Sequence, residues 1–173
     1  MFGSIVVGTD GSDTAKEAVR QAVELAQSVG AELLLVSAYQ PVSRVAVTRE
    51  AAQMPEDVQW MVSAYEPVSD QRLREERTDV PDDLQWMVNP REDVDATLKE
   101  AKEEVEGAGV KVDTFAREGD AADAILDVAE EQHADLIVVG NKGMTGAKRF
   151  LLGSVPNKVS HHAPCSVLII RTT

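Results

Sequence analysis

Short runs of consecutive apolar residues, separated by longer stretches with helical periodicity, limit the folds that this chain can adopt. Such runs occur at residues 4–9, 32–38, 135–140 and 165–171. A strand that is apolar along its whole length is buried on both faces, as in a parallel sheet between helices. A fifth segment, 110–116, alternates apolar and polar residues as a strand with one buried face does. We therefore expect a sheet of five strands.

Between these runs, apolar residues recur every three or four positions, which predicts helices at 15–29, 94–108, 121–133 and 155–163. Ser12 or Asp13 can cap the first helix, and Gly30 can end it. Strand and helix alternate throughout, which predicts an α/β domain with a doubly wound parallel sheet and helices on both faces. In such a fold, the ligand lies past the carboxyl ends of the strands, where the strand order reverses.

One region interrupts this alternation. Residues 37–62 and 63–88 align without gaps as two copies of 26 residues, with 13 identical positions. A tandem duplication in the connection after the second strand is the simplest explanation. We expect a single domain spanning residues 1–173, with an insert at about 40–92. The insert is either a lid or partner-binding flap, or a tolerated surface insertion.

The composition argues against several classes of protein. With 17 Lys and Arg against 30 Asp and Glu, the net charge of −13 disfavours nucleic-acid binding. A single cysteine excludes a disulfide framework and any zinc site built from several cysteines. The apolar runs are too short to span a bilayer, and the N-terminus has no cationic leader. We expect a soluble, cytoplasmic protein that contacts neither membranes nor nucleic acid.

The charge is unevenly distributed along the chain. No acidic residue follows Asp135, whereas five basic residues do: Lys142, Lys148, Arg149, Lys158 and Arg171. A positive stretch in an acidic protein suggests an anionic ligand near the C-terminal third. The alternative is that these residues form salt bridges with the acidic part of the chain or complement helix ends.

The most informative motif is a spaced-glycine loop, residues 140–154, which we call the glycine loop. It has the pattern Gly140-x2-Gly143-x9-Gly153-Ser154 and joins a predicted strand to a predicted helix. Glycines let the backbone approach an anion without a Cβ in the way, and the free N–H groups of a helix N-terminus attract phosphate. The Ser154 hydroxyl could contact a phosphate or cap the helix. The sequence contains no P-loop, no dinucleotide-binding glycine motif after the first strand and no nucleophile elbow.

The opening segment 5–12 (IVVGTDGS), the glycine loop and the ending at 163–170 together resemble the universal stress protein family, in its nucleotide-binding branch. The resemblance covers about residues 3–40 and 93–173 and leaves the duplicated insert outside it. It implies a five-stranded parallel sheet of order 3-2-1-4-5 and a homodimer formed through the last strand, 166–170.

The resemblance also implies the roles of individual residues. Thr9 would line the adenine side, Asp10 would contact the ribose or a metal ion near the phosphates, and the backbone around Ala38 would read the base. The remaining positions would hold the ribose and phosphates, with Lys142 adding positive charge: Gly140, Lys142, Gly143, Gly153, Ser154 and Val155. Alternatively, Asp10 has a purely structural role and forms an Asx turn with the backbone that follows it. Because Ser63-Ala64-Tyr65 repeats Ser37-Ala38-Tyr39, either copy could supply the base contact.

The leading functional prediction is a binding module that senses an adenine nucleotide and acts as a regulator in stress responses. The expected ligand is ATP, with or without Mg²⁺ or Mn²⁺, and cyclic AMP is the alternative. A slow ATP hydrolase using the same loop is a second possibility, but no residue is identified that could orient water, and no catalytic residue is predicted. A third is an interaction protein that binds no nucleotide. The sequence names no partner protein.

Overall fold

The structure, a computed structural model, describes residues 2–40, 90–141 and 154–172. In these residues, strands and helices alternate in the predicted order. The elements are β1 (Ser4–Gly8), α1 (Asp13–Val29), β2 (Glu32–Tyr39), α2 (Pro90–Gly107), β3 (Val112–Glu118), α3 (Ala121–Glu131), β4 (Leu136–Gly140), α4 (Ser154–His162) and β5 (Ser166–Ile170). Almost all of the predicted insert at 40–92 lies outside the described residues, as do Lys142, Gly143 and Gly153.

The strands of the described residues form one parallel sheet in the order β3-β2-β1-β4-β5. This confirms the predicted doubly wound α/β fold and its strand order. β1 lies at the centre, where Val6 pairs with Leu34 of β2 and Ile137 of β4. Because the chain adds β2 and β3 on one side of β1 and then returns to add β4 and β5 on the other, the strand order reverses between β1 and β4.

Helices cover both faces of the sheet, and each face has its own apolar core. One core joins α1 and α2 to alternate residues of the strands, and the other joins α3 and α4 to the intervening residues. Buried members are Val19, Leu35 and Val105 in the first core and Val6, Ile125 and Val159 in the second. Burying one such side chain contributes about 1.5–3 kcal/mol to folding, so the two cores fix the positions of the helices against the sheet.

The ends of the elements follow local sequence signals. The Ser12 hydroxyl accepts a hydrogen bond from the Ala15 amide at 3.3 Å, and Gly30 ends α1 in the left-handed region with φ 74°. The predicted start of β3 at Val110 is wrong. The Val110 amide donates to the Val105 carbonyl at 3.3 Å, so this residue still closes α2 and the strand begins two residues later.

The edge strand β5 departs from the expected burial. Its uninterrupted apolar sequence predicts burial on both faces, but Leu168 is 41% exposed. The difference arises because helices cover one face of β5 more than the other: Val167 and Ile169 pack against the core under α3 and α4, whereas Leu168 lies on the opposite face. An apolar strand sequence therefore does not separate a central strand from an edge strand.

Contacts divide the chain into two compact units, Met1–Gln40 with Val94–Thr173, and Pro41–Asp93. The first unit contains the sheet and its helices, apart from the first turn of α2. The second unit falls almost entirely outside the described residues. None of the helices in the described ranges combines the length and the apolar character needed to cross a membrane.

Candidate functional site

A pocket lies at the carboxyl ends of the three central strands, next to the point where the strand order reverses. Its walls come from the ends of β1, β2 and β4 and from the first turns of α1, α3 and α4. The lining residues are Gly8, Thr9, Asp10, Ala15, Val36, Ser37, Ala38, Ala121, Ile125, Val139, Gly140, Val155 and Pro156. This is the position in which open α/β sheets bind ligands.

The pocket is open to solvent on one side, and the space between its walls is about 110 Å³. Because an apolar cavity of roughly 150 Å³ just accepts benzene, the described walls can enclose only part of a nucleotide, and the rest of such a ligand would extend beyond them. Most of the walls are aliphatic, including Val36, Ile125, Val139 and Val155. Such a surface favours contact with the flat face of an aromatic ring, and the polar groups of a ligand would contact the backbone at the strand ends.

The turn after β1 places Thr9 and Asp10 at one end of the pocket. The Thr9 amide donates to the Val36 carbonyl at 2.8 Å, which continues the pairing of β1 with β2 and buries Thr9. Asp10 is exposed, and its Oδ1 accepts hydrogen bonds from the Ser12 amide at 3.0 Å and the Ser12 hydroxyl at 2.5 Å. The Asx turn weighed for Asp10 is therefore present. Because both bonds go to Oδ1, the turn does not occupy Oδ2.

Gly11 sets the path of this turn. Its φ is +75°, a conformation that residues with a Cβ rarely adopt. A Cβ built on Gly11 would also lie 3.1 Å from Thr97 Cγ2 in α2. The positive φ strongly favours glycine here and the Thr97 contact leaves little room for a side chain, so the turn that holds the Asp10 carboxylate depends on Gly11.

Gly8 brings α3 close to the floor of the pocket. A Cβ built on Gly8 would lie 2.4 Å from Ile125 Cδ1 and 3.2 Å from Cγ1. Ile125 is only 3% exposed, and both residues line the pocket. The absence of a side chain at Gly8 thus determines where Ile125 lies and how much space remains beside it.

The start of the glycine loop is tied to the end of β5. Gly140 is the last residue of β4, and the next residue, Asn141, donates its amide to the Ile170 carbonyl at 2.8 Å. Its side-chain Oδ1 accepts hydrogen bonds from the Thr172 amide at 2.9 Å and the Thr172 hydroxyl at 3.0 Å. Asn141 therefore anchors the chain where the loop leaves the sheet.

The N-terminus of α4 forms the opposite wall of the pocket. Ser154 is the first residue of this helix and is exposed, whereas Val155 and Pro156 line the pocket. The first N–H groups of a helix have no partner within it and attract anions. Pro156 carries no N–H, so of the first three residues of α4 only Ser154 and Val155 can offer a backbone donor to a ligand.

A cluster of charged side chains joins α3 to α4 beside these helix starts. Asp120 caps α3 by accepting hydrogen bonds from the amides of Ala122 and Asp123, at 3.0 and 3.2 Å. Lys158 Nζ lies 3.2 Å from Asp120 and 2.7 Å from the Asp123 carboxylate. Burial acts to raise the pKa of Asp120, but the hydrogen bonds from the Asp123 amide and from Lys158 outweigh it and hold this pKa below its ordinary value. Lys158, one of the five basic residues after Asp135, therefore forms salt bridges with the acidic part of the chain, as one of the two interpretations of this basic stretch predicts.

Five of the predicted site residues thus meet in one pocket: Thr9, Asp10, Ala38, Gly140 and Val155. Ser154 lies at the first turn of α4 but does not line the pocket, and Lys142, Gly143 and Gly153 fall outside the described residues. Ala38 belongs to the first copy of the duplicated segment, which supplies the end of β2. The equivalent Ser63-Ala64-Tyr65 is not among the described residues.

Sequence reasoning missed several residues of the site: Gly8, Ser37, Ile125, Pro156 and Asn141. Ser37 was detectable, because it directly precedes Ala38 at the end of a predicted strand. Ile125 was not, because a buried helix residue shows no sign of which strand end it covers. In the described ranges, no group of three or more His, Cys, Asp or Glu residues could hold a metal ion.

Comparison with known proteins agrees with this architecture. The sequence profile of the universal stress protein family matches residues 1–171, almost the whole chain. The chain belongs to the universal stress protein family. The family resemblance noted in the sequence is thereby confirmed.

Relatives of this universal stress protein align along its full length. The universal stress protein Rv1636 of Mycobacterium tuberculosis is 34% identical over 173 residues, covering 99% of this chain and 98% of the relative. The universal stress protein YxiE of Bacillus subtilis is 34% identical over 171 residues, covering 99% and 100%.

Solved structures of other universal stress proteins share the fold. One, a universal stress protein in complex with cAMP, is 26% identical with a TM-score of 0.64, covering 99% of this chain and 98% of its own. An Arabidopsis thaliana protein of the family, solved with AMP bound, is 16% identical with a TM-score of 0.58, covering 98% and 91%. At that lower identity, the likeness extends to the fold alone.

Proposed function

We propose that this universal stress protein binds an adenine nucleotide in the pocket at the ends of β1, β2 and β4, and that occupancy regulates its interactions. The observation that carries the proposal is the convergence of Thr9, Asp10, Ala38, Gly140 and Val155 on one pocket. These residues come from four separate parts of the sequence, so their meeting is a property of the fold.

The chemistry of the walls supports an adenosine-like ligand. The aliphatic walls offer a surface for the base, and strand-end backbone near Ala38 offers polar groups for its edge. Asp10 Oδ2 is available to accept from a ribose hydroxyl or to bind Mg²⁺ or Mn²⁺ that accompanies phosphates. Gly140 and the first amides of α4 lie where phosphates would follow, and ATP is the ligand we propose.

Cyclic AMP is a second candidate ligand. The protein of known structure with 26% identity to this chain was solved in complex with cAMP. A single phosphate also needs fewer donors than a triphosphate, which suits an N-terminus of α4 that lacks one amide at Pro156.

The test is to identify the nucleotide that accompanies the protein and then to measure its affinity. Mass spectrometry of the supernatant after denaturing the purified protein should reveal an adenine nucleotide. Calorimetry should then compare ATP and cyclic AMP on Asp10→Ala and Asp10→Asn. Asparagine keeps the Asx turn with Ser12, so a loss of affinity in both variants assigns the carboxylate to the ligand, and rescue by asparagine assigns it to the turn. Wild-type protein that binds neither nucleotide contradicts the proposal.

We also propose that two copies associate through β5. This strand is at the edge of the sheet, and its Leu168 is the large apolar side chain that is exposed among the described residues. Flat apolar edges are usually paired or covered, and pairing around a two-fold axis would satisfy both copies. Sedimentation should give the mass of a dimer for the wild type and of a monomer for Leu168→Lys, which would place two like charges near the axis. A monomeric wild type at micromolar concentration contradicts this part of the proposal.

A further inference from the structure

The ion cluster of Asp120, Asp123 and Lys158 stands at the border of the pocket. Asp120 directly precedes the pocket residue Ala121, and Lys158 follows the pocket residue Val155 by one helical turn. One ammonium bridges two carboxylates at 3.2 and 2.7 Å. The cluster therefore lies at the start of both helices that wall the pocket on this face of the sheet.

The side chains of the cluster are partly hydrated. Their exposed fractions are 41% for Lys158, 55% for Asp120 and 54% for Asp123. An exposed ion pair contributes little to stability, because water and salt screen it. Its charge nevertheless adds to the potential that a ligand meets at the pocket mouth, over a distance set by the Debye length of about 10 Å at 0.1 M salt.

Among the described residues at the pocket, which exclude the lysines and arginine of the glycine loop, the balance of charge is unfavourable to an anion. The cluster has one positive and two negative charges, and the pocket residue Asp10 adds a third carboxylate. The hydrogen bond from Lys158 to Asp123, followed by that to Asp120, raises the pKa of Lys158, so this ammonium stays charged throughout the neutral range. If Lys158 were neutral, a phosphate would meet three carboxylates with no compensating charge from the cluster.

We propose that Lys158 is a specificity-determining residue that sets how strongly the pocket discriminates against the negative charge of its ligand. It does so without contacting the ligand, by compensating the charges of Asp120 and Asp123 at the first turn of α3. This inference rests on the proposed function, since it concerns nucleotides bound in the same pocket.

A purely structural role for Lys158 predicts a different result. As a brace between α3 and α4, it would hold the wall residues Ala121 and Val155 in place, and its loss would weaken every ligand equally. A charge role weakens ligands in proportion to their negative charge. Adenosine, cyclic AMP and ATP share the same base and differ in charge from none to about four, so they separate the two roles.

The experiment is metal-free calorimetry of these three ligands at low salt on the wild type, Lys158→Met, Lys158→Arg and the double variant Lys158→Met with Asp123→Asn. For Lys158→Met we expect about a twofold loss for cyclic AMP and about a tenfold loss for ATP, with adenosine unchanged. This corresponds to roughly a twofold effect per unit of ligand charge, as expected for a charge that lies within one Debye length of the ligand and is screened by water. Arginine should preserve the wild-type affinities.

The double variant is the matched control, because it restores the charge of the cluster while leaving the bridge broken. We expect it to recover ATP affinity to within about twofold of the wild type. Equal losses for adenosine and ATP, or no recovery in the double variant, overturn the proposal and leave the proposed function standing. A wild type that binds none of the three ligands overturns both.

Discussion

Replacing Gly8 by alanine tests how the sheet and α3 together shape the pocket. The new Cβ would lie 2.4 Å from Ile125 Cδ1, whereas carbon atoms pack favourably at about 3.5–4.0 Å. Cδ1 must therefore move by about 1 Å or more. Ile125 is 3% exposed, packed in the second core and also lines the pocket, so we expect the displaced methyl group to move toward the pocket.

Two consequences follow for Gly8→Ala. Overpacking of this kind costs about 1–3 kcal/mol, and an off-rotamer side chain alone costs about 0.5–1.5 kcal/mol, so we expect a loss of stability of about 1–2 kcal/mol. Because the displaced methyl group enters a space of only about 110 Å³, we also expect nucleotide affinity to fall at least tenfold.

The assay is urea denaturation followed by circular dichroism, applied to a double-mutant cycle with Ile125→Val. Valine lacks Cδ1, so the double variant should be no less stable than Ile125→Val alone, which by itself costs about 0.5–1.5 kcal/mol. Gly107→Ala serves as the control glycine, since a Cβ there meets nothing within 4 Å. It should be neutral or slightly stabilising at the end of α2.

The cycle also gives the result that would refute the reasoning. A steric conflict between Gly8→Ala and Ile125 predicts a coupling free energy of at least about 1 kcal/mol. Additive effects, within about 0.5 kcal/mol, would mean that the two positions do not meet as described. Full nucleotide affinity in a folded Gly8→Ala variant would separate Ile125 from the ligand site.

Three further predictions concern other contacts. Hydrogen bonds from the amides of Gly3 and Ser4 hold the pKa of Asp135 below its ordinary value of 3.8. The carboxylate therefore stabilises the fold above pH 3.8, and this contribution is lost as the pH falls through the lower pKa of the folded state. Urea midpoints should decline less between pH 5 and 2 in Asp135→Asn than in the wild type. Asn141→Ala removes both hydrogen bonds from Thr172, so calorimetry should show about a five- to tenfold loss of nucleotide affinity, whereas Asn141→Asp keeps the acceptor and should leave the affinity for uncharged adenosine near the wild type. His133 has φ 51° in the turn before β4, and glycine there should raise the free energy of unfolding by about 0.5–1 kcal/mol, with a correspondingly higher melting temperature; a lower one contradicts it.

Short-range patterns in the sequence were sufficient to predict the order of the strands and helices. The apolar run at β1 and the periodicity of α1 each reflect a local rule, and Ser12 and Gly30 cap the helix as their side chains and backbone freedom require. The misplaced start of β3 has a local cause too. Val110 is apolar because it packs beneath the end of α2, and this pattern cannot be told from the first residue of a strand.

The site was only partly accessible to the same reasoning. Thr9 and Asp10 were named from the resemblance to the universal stress protein family, and Gly140 from the glycine spacing of the loop. The rule that parallel strands end at one edge of the sheet explains why they meet, since Thr9 and Asp10 follow β1 and Gly140 ends β4. Ile125 and Asn141 were not identified, because their roles depend on which strand end each one reaches. Ile125 matters only because Gly8 lets α3 approach, and Asn141 because β5 pairs beside β4.

The sequence by itself determined the alternation of strands and helices, the two apolar faces of the sheet and the glycine spacing of the loop, since periodicity and backbone freedom are properties of neighbouring residues. Only the tertiary structure decided the size of the pocket, the exposure of Leu168 at the sheet edge and the ion pairs that Lys158 forms with Asp120 and Asp123. Each of these depends on residues far apart in the chain, whose distance is set by how α3, α4 and β5 pack on the sheet. The charge, burial and free volume at the pocket depend on which residues lie next to one another in space, and the sequence alone does not determine those neighbours.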